Sequence, residues 1–173
     1  AMHQTVVGQE LMEQLEDIHL HADLLVACVG GGTNLFGFMS AFLREKLAGR
    51  KGPDMLAAES ANVPVLTTGE YRYDYADFFE LTPKVKMYTL GHKFVPPSMH
   101  AGGLRYHGKS PILSLMVHKR LIRPVAIEQK EAFDAGMLFY KAEGVLAAPE
   151  SNHAIAAVIR EVRRDIKEGK RRN

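Results

Sequence analysis

The sequence predicts a three-layer α/β/α fold with a mainly parallel sheet, and three observations carry that reading. Leu24-Leu25-Val26-Ala27-Cys28-Val29 is an unbroken apolar run without polar alternation, the pattern of a strand buried on both faces of a parallel sheet. Gly30-Gly31-Gly32 ends that run, and a stretch with helical spacing follows. Met55-Leu56-Ala57-Ala58-Glu59 is then a second short strand, so the segment is a βαβ unit whose crossover should be right-handed.

The remaining elements follow in order. Val7, Leu11, Leu15 and Ile18, spaced four, four and three apart, put one apolar stripe on a helix over about residues 4–18. Leu35, Phe36, Met39, Phe42, Leu43 and Leu47 mark the helix after the glycines, and residues 49–53 break it. Residues 61–110 hold four of the eight prolines and five of the six tyrosines, with no long periodic pattern. They read as a long irregular region, ordered by its aromatic content and containing one short helix.

Regular structure resumes at Pro111, which can start a helix carrying Ile112, Leu113, Leu115, Met116 and Leu121 because a first-turn proline loses no hydrogen bond. Pro124-Val125-Ala126-Ile127 is a short strand, and residues 132–143 form a helix ended by Gly144. Residues 145–148 read as another short strand. Ile155, Val158, Ile159, Val162 and Ile166 mark a final amphipathic helix with Ser151 or Asn152 as its N-cap. The seven basic residues between Arg160 and Arg172 then fall on its solvated face. Residues 1–173 together read as a single α/β domain.

Composition excludes several classes. The chain has 173 residues, 46% hydrophobic and 24% charged, which is ordinary for a globular domain and unlike a disordered tail. Twenty-two basic against 20 acidic side chains leave a charge of +2, which argues against a nucleic-acid partner. Cys28 is the only cysteine, so no internal disulfide or multi-cysteine zinc site can form, and inside a buried strand it should be inert. His19, His21, His100 and His107 lack the spacing of a ligand set. No apolar run approaches the length of a membrane span and no signal-peptide pattern opens the chain, so a cytoplasmic location is the expectation. Both ends read as interior points of a longer polypeptide.

Gly30-Gly31-Gly32-Thr33-Asn34 lies between a buried strand and a helix. Adjacent glycines expose successive backbone N–H groups, and the helix adds its free amides and the positive end of its dipole. Thr33 and Asn34 contribute side-chain donors. Such a loop suits a phosphate dianion better than a bare tight turn, the alternative, because such turns seldom need three glycines. The Lys-Ser/Thr pair of a nucleotide P-loop is absent, and so is G-x-G-x-x-G spacing, so a phosphate on a smaller cofactor fits better than a triphosphate.

These five residues resemble the phosphate loop of fold-type II pyridoxal-phosphate (PLP) enzymes, the tryptophan synthase β-chain group, with Thr33 where serine is usual. His3-Gln4-Thr5-Val6-Val7-Gly8-Gln9-Glu10 precedes the loop at the expected distance. Glu70-Tyr71-Arg72-Tyr73-Asp74-Tyr75, Lys86-Met87-Tyr88-Thr89-Leu90-Gly91-His92 and His100-Ala101-Gly102-Gly103-Leu104-Arg105-Tyr106-His107-Gly108 are similar to the second type of β-chain, common in archaea. Glu143-Gly144 with Ala148-Pro149-Glu150-Ser151 matches that type's glutamate segment. The resemblance runs over essentially the whole chain.

Members of that family condense L-serine with indole to give L-tryptophan, using PLP held by a lysine. The resemblance implies that Gly30, Gly31, Gly32, Thr33 and Asn34 hold the PLP phosphate and that Glu150 lies near the pyridine ring. Read from the residues alone, Glu150 is a first-turn carboxylate favourable to the helix dipole. The family's Schiff-base lysine and its catalytic glutamate belong to an N-terminal half that this chain does not include, so no catalytic residue is assigned and PLP is held noncovalently at most. Three functional classes remain open: part of a tryptophan synthase β-like lyase, a non-catalytic phosphate- or PLP-binding domain, and an assembly module. Self-association or pairing with a complementing N-terminal segment is expected, because a sheet stripped of neighbouring strands leaves edges and apolar faces uncovered. Arg72 and Arg105 are read as pins of the long loop rather than anion clamps.

Overall fold

In the computed structural model, which describes residues 2–173, the chain forms α1 (Thr5–Asp17), β1 (Leu24–Cys28), α2 (Thr33–Leu47), β2 (Asp54–Ser60), α3 (Val65–Thr68), β3 (Glu70–Asp74), β4 (Val85–Thr89), α4 (Pro111–His118), β5 (Arg123–Ile127), α5 (Gln129–Glu143) and α6 (Pro149–Glu168). β1, β2 and β5 make a parallel sheet in the order β1-β2-β5, with Val26 opposite Leu56 and Ala58 opposite Val125.

Successive side chains of a strand point to opposite faces, and β2 divides the core accordingly. Met55 and Ala57 pack with Leu25, Leu35, Met39, Phe42 and Leu113 under α1, α2 and α4. Leu56 and Ala58 point the other way, onto Ala132, Ala135, Ala156 and Ala157 of α5 and α6. Helices cover both faces of the sheet, so the fold is the three-layer α/β/α arrangement. Gly8 and Gly37 let α1 and the turn before it approach α2 closely: a Cβ on Gly8 would fall 2.5 Å from Phe38 O, and one on Gly37 would fall 2.4 Å from Gln4 O.

Several expectations need correction. β1 is not buried on both faces; most of its residues are half-buried, because among the described residues it is an edge strand that pairs with β2 alone. Residues 61–110 contain more than one short helix. α3 is followed by an antiparallel hairpin of β3 and β4, in which Tyr71 lies opposite Tyr88. The ten residues between these strands contain no two-residue turn signal, and Tyr, Arg and Lys on the exposed positions hid the alternation. Residues 145–148 form no strand, since no neighbouring strand among the described residues pairs with them.

α6 departs most. It starts at Pro149 with Ala148 as N-cap, so neither Ser151 nor Asn152 caps it. Its buried face carries Ala156, Ala157, Glu161 and Asp165, while Val158, Val162 and Ile166 are exposed, Ile166 at 72%. Small alanines seat the helix close to the sheet, and the two acids are neutralised there: Glu161 pairs with Arg123, Arg164 and Arg172, and Asp165 with Arg172. Arg160 binds Glu131 and Ala126 O. Much of the basic set expected on a solvated face is therefore engaged in ion pairs and hydrogen bonds.

Candidate functional site

Val29 N still bonds Ala58 O at 2.9 Å, after which the chain reverses through Gly30, Gly31 and Gly32 into α2. Two of these glycines are required by the backbone itself. A Cβ on Gly30 would fall 2.3 Å from Gly103 O. Gly32, the N-cap of α2, has φ +107°, and a Cβ there would meet Leu113 Cδ2 at 2.6 Å. Gly31 is different: the nearest atom to its Cβ position is Tyr106 Cε1, at 4.0 Å.

Among the described residues, the amides of Gly31, Gly32, Thr33 and Asn34 meet no hydrogen-bond acceptor, and the Thr33 and Asn34 side chains are exposed. Ser110 braces the loop, its N–H donating to Gly31 O at 2.8 Å. Its Oγ is buried without a partner and lies 3.1 Å from the Cβ position of Gly32.

Glu150, in the first turn of α6, reaches the same end of the sheet. Its Oε1 accepts the Gly103 N–H at 2.9 Å, while the Gly103 carbonyl fills the space beside Gly30. Cys28, which ends β1, is half-buried; burial pushes its thiol pKa up, and the Glu150 charge adds to that. The thiol therefore stays protonated near neutrality. Gly30, Gly31, Gly32, Thr33, Asn34 and Glu150 thus converge at the carboxyl end of β1, where parallel α/β sheets bind ligands.

Two neighbours of this loop were not singled out from the sequence. Lys109 is 1% exposed and donates from Nζ to Val29 O at 3.3 Å. Burial pushes its ammonium down to about 8, with the Glu59 carboxylate opposing the fall. Glu59 is itself fully buried and accepts the Leu66 and Thr67 amides and the Thr67 hydroxyl; burial raises its pKa. No spacing marks Lys109 or Ser110, because the fold-back of residues 91–110 brings them here.

Four further polar residues, Arg72, His92, Arg105 and His107, tie the hairpin and the segment after it together. Arg72 pairs with Glu70 and Asp74, and Arg105 donates to Pro96 O at 3.2 Å. His92 bridges Asp74 at 2.7 Å and Glu80 at 2.9 Å, and His107 donates to Tyr75 O. Burial opposes ionisation of Asp74, yet the Thr89 hydroxyl, the His92 ring and Arg72 hold its carboxyl below the usual range.

The family model described as "Pyridoxal-phosphate dependent enzyme" matches residues 1–172. The chain belongs to the pyridoxal-phosphate dependent enzyme family. The cofactor of that family is pyridoxal phosphate. Among curated relatives, the tryptophan synthase beta chain of Fervidobacterium nodosum is 52% identical over 167 residues, covering 96% of this chain and 40% of that protein. Tryptophan synthase beta chain 2 of Methanosarcina mazei is 49% identical over 160 residues, covering 92% and 36%. That of Thermotoga maritima is 48% identical over 171 residues, covering 99% and 40%. The chain therefore spans no more than 40% of the length of these three relatives. Among solved structures, a threonine deaminase from T.th. superposes with a TM-score of 0.68 at 18% identity, over 93% of this chain and 51% of that one. A fungal L-serine ammonia-lyase from Rhizomucor miehei gives 0.66 at 21% identity, over 94% and 45%. Both share the fold. No helix among the described residues is long and apolar enough to cross a membrane.

Proposed function

We propose that this chain is the cofactor-phosphate-holding part of a tryptophan synthase β-like enzyme of the cytoplasm, binding PLP noncovalently and inactive alone. The observation that carries this reading is the row of amides from Gly31 to Asn34, at the N-terminus of α2, that meet no acceptor among the described residues. The local chemistry fits a phosphate dianion: a buried, unpartnered Ser110 hydroxyl beside Gly32, and an open Cβ position at Gly31 that a side chain would fill.

When bound, PLP supplies an electron sink for reaction at an amino-acid α-carbon. The chain's own residues bind and orient. Gly31, Gly32, Thr33 and Asn34 donate to the phosphate, and Thr33 Oγ and Asn34 Nδ2 add donors from exposed positions. Glu150 holds the Gly103 loop against Gly30 and so keeps the chain reversal in shape. Covalent attachment needs an amine in a suitable site. In this reading it comes from a complementing segment, consistent with a chain that spans no more than 40% of its curated relatives.

PLP titration followed by borohydride reduction tests the proposal. Reversible binding that competes with inorganic phosphate, no reduced lysine adduct, and no tryptophan formed from L-serine and indole are the expected results. A stable adduct with turnover would make the chain catalytic by itself. A second reading, an assembly module that pairs with itself or with another chain, is favoured by the exposed stripe of Val158, Val162 and Ile166 on α6.

A further inference from the structure

Lys109 is among the largest fully buried side chains, yet it carries an ammonium group. Two hydrogen bonds join Lys109 and Ser110 to the loop and its entry, Lys109 Nζ to Val29 O at 3.3 Å and Ser110 N to Gly31 O at 2.8 Å, and Ser110 Oγ lies 3.1 Å from where a Cβ on Gly32 would stand. A lysine ammonium has three donors, and among the described residues only Val29 O accepts from this one. The opposite charge that it senses is Glu59 on β2, whose oxygens already accept from Leu66 and Thr67; the two groups form no ion pair within 4.0 Å among the described residues. A buried cation is costly unless paired, and this one is only partly compensated. It is bonded to the carbonyl that enters a turn whose amides, among the described residues, lack acceptors. An anion at those amides would complete the compensation.

We propose that Lys109 is a positioning residue for the anion site, its buried ammonium holding the carbonyl at the entry of the glycine loop and placing a fixed positive charge behind the amides that receive a phosphate. This inference rests on reading the loop as a phosphate site. It extends that reading by tying affinity for a dianion to a group that does not touch it.

The test compares PLP, pyridoxal and inorganic phosphate binding to the 173-residue chain at neutral pH, in the wild type, Lys109→Met and Lys109→Arg. Lys109→Met should weaken PLP and phosphate about tenfold while leaving pyridoxal unchanged, and Lys109→Arg should keep most of the affinity. Equal phosphate affinity in wild type and Lys109→Met overturns the inference and leaves the phosphate-site reading intact. Equal losses for PLP and pyridoxal reduce Lys109 to packing and overturn it too. A wild-type chain that binds neither PLP nor phosphate overturns both.

Should Lys109→Met not fold, the wild type carries the test. Coupling is reciprocal, so phosphate saturation should raise the protonation midpoint of Lys109 by about one pH unit, followed by NMR of labelled lysine Cε. An unmoved midpoint overturns the inference.

Discussion

The amide of Gly103 donates to the Glu150 carboxylate at 2.9 Å, across 47 residues of chain, and the carbonyl of the same glycine occupies the space beside Gly30. Glu150 therefore meets the glycine loop through an intermediary. Its carboxylate fixes the segment against which the strand-to-helix reversal is built.

Glu150→Ala should lower stability by about 1 kcal/mol in urea unfolding and weaken PLP binding, because the Gly103 N–H loses its acceptor. Glu150→Gln, which keeps an oxygen acceptor, should stay close to wild type. Equal effects of the two substitutions would assign the role to charge instead.

The three glycines should separate cleanly. Gly30→Ala and Gly32→Ala should each cost about 1–3 kcal/mol, the first by collision with Gly103 O and the second by its positive φ and contact with Leu113. Gly31→Val should fold, since nothing approaches its Cβ position closer than 4.0 Å, but should lose phosphate and PLP binding. Phosphate titrations beside thermal melts check both halves.

Lys109 sets a pH dependence with a definite sign. Its folded-state pKa of about 8 lies below its unfolded value of 10.5, so the unfolded chain binds more protons between these pH values and stability rises with pH across that window. The penalty of burying the charge is fully present below pH 8 and fades by pH 10.5, a change of about 3 kcal/mol. Urea unfolding of wild type against Lys109→Met should show the difference between them changing over that range and flat below it.

Glu161 works in the opposite direction. Burial opposes its ionisation, but Arg123 and Arg172 hold its carboxyl below the usual range, so its contribution is present above the unfolded pKa of 4.5 and lost as pH falls through the lower folded value. Thermal melts should show Glu161→Gln destabilised at pH 6 and converging with wild type in acid.

The outward stripe of α6 should drive association. Sedimentation at micromolar concentrations should show the wild type above monomer mass, and Val162→Glu with Ile166→Glu should shift it toward monomer. A wild-type monomer across that range would remove the assembly reading.

What was legible in the sequence was local or periodic. The run of residues 24–29, the glycines after it and the helix from Thr33 are contiguous, so one stretch of chain was enough to read a strand, a turn and a helix N-terminus. Gly144 in the left-handed conformation at the end of α5 was legible for the same reason. The hairpin was not, because its strands are joined by ten residues without a turn signature and β3 alternates tyrosine with charged side chains instead of apolar with polar. On α6, periodicity found the apolar stripe but not its direction, since a helix has two sides and only its packing partner selects one.

By itself, then, the sequence determined where a glycine turn joins a strand to a helix N-terminus and that a parallel sheet supports it, because those properties depend on neighbours along the chain. Tertiary structure alone decided that Gly31 is the open glycine, that Glu150 accepts the Gly103 amide, that Lys109 bonds the Val29 carbonyl at the entry of the loop, and that Val158, Val162 and Ile166 face outward. Each of these is a contact, or a missing contact, between segments far apart in the chain, and only the packing of the layers brings such segments together.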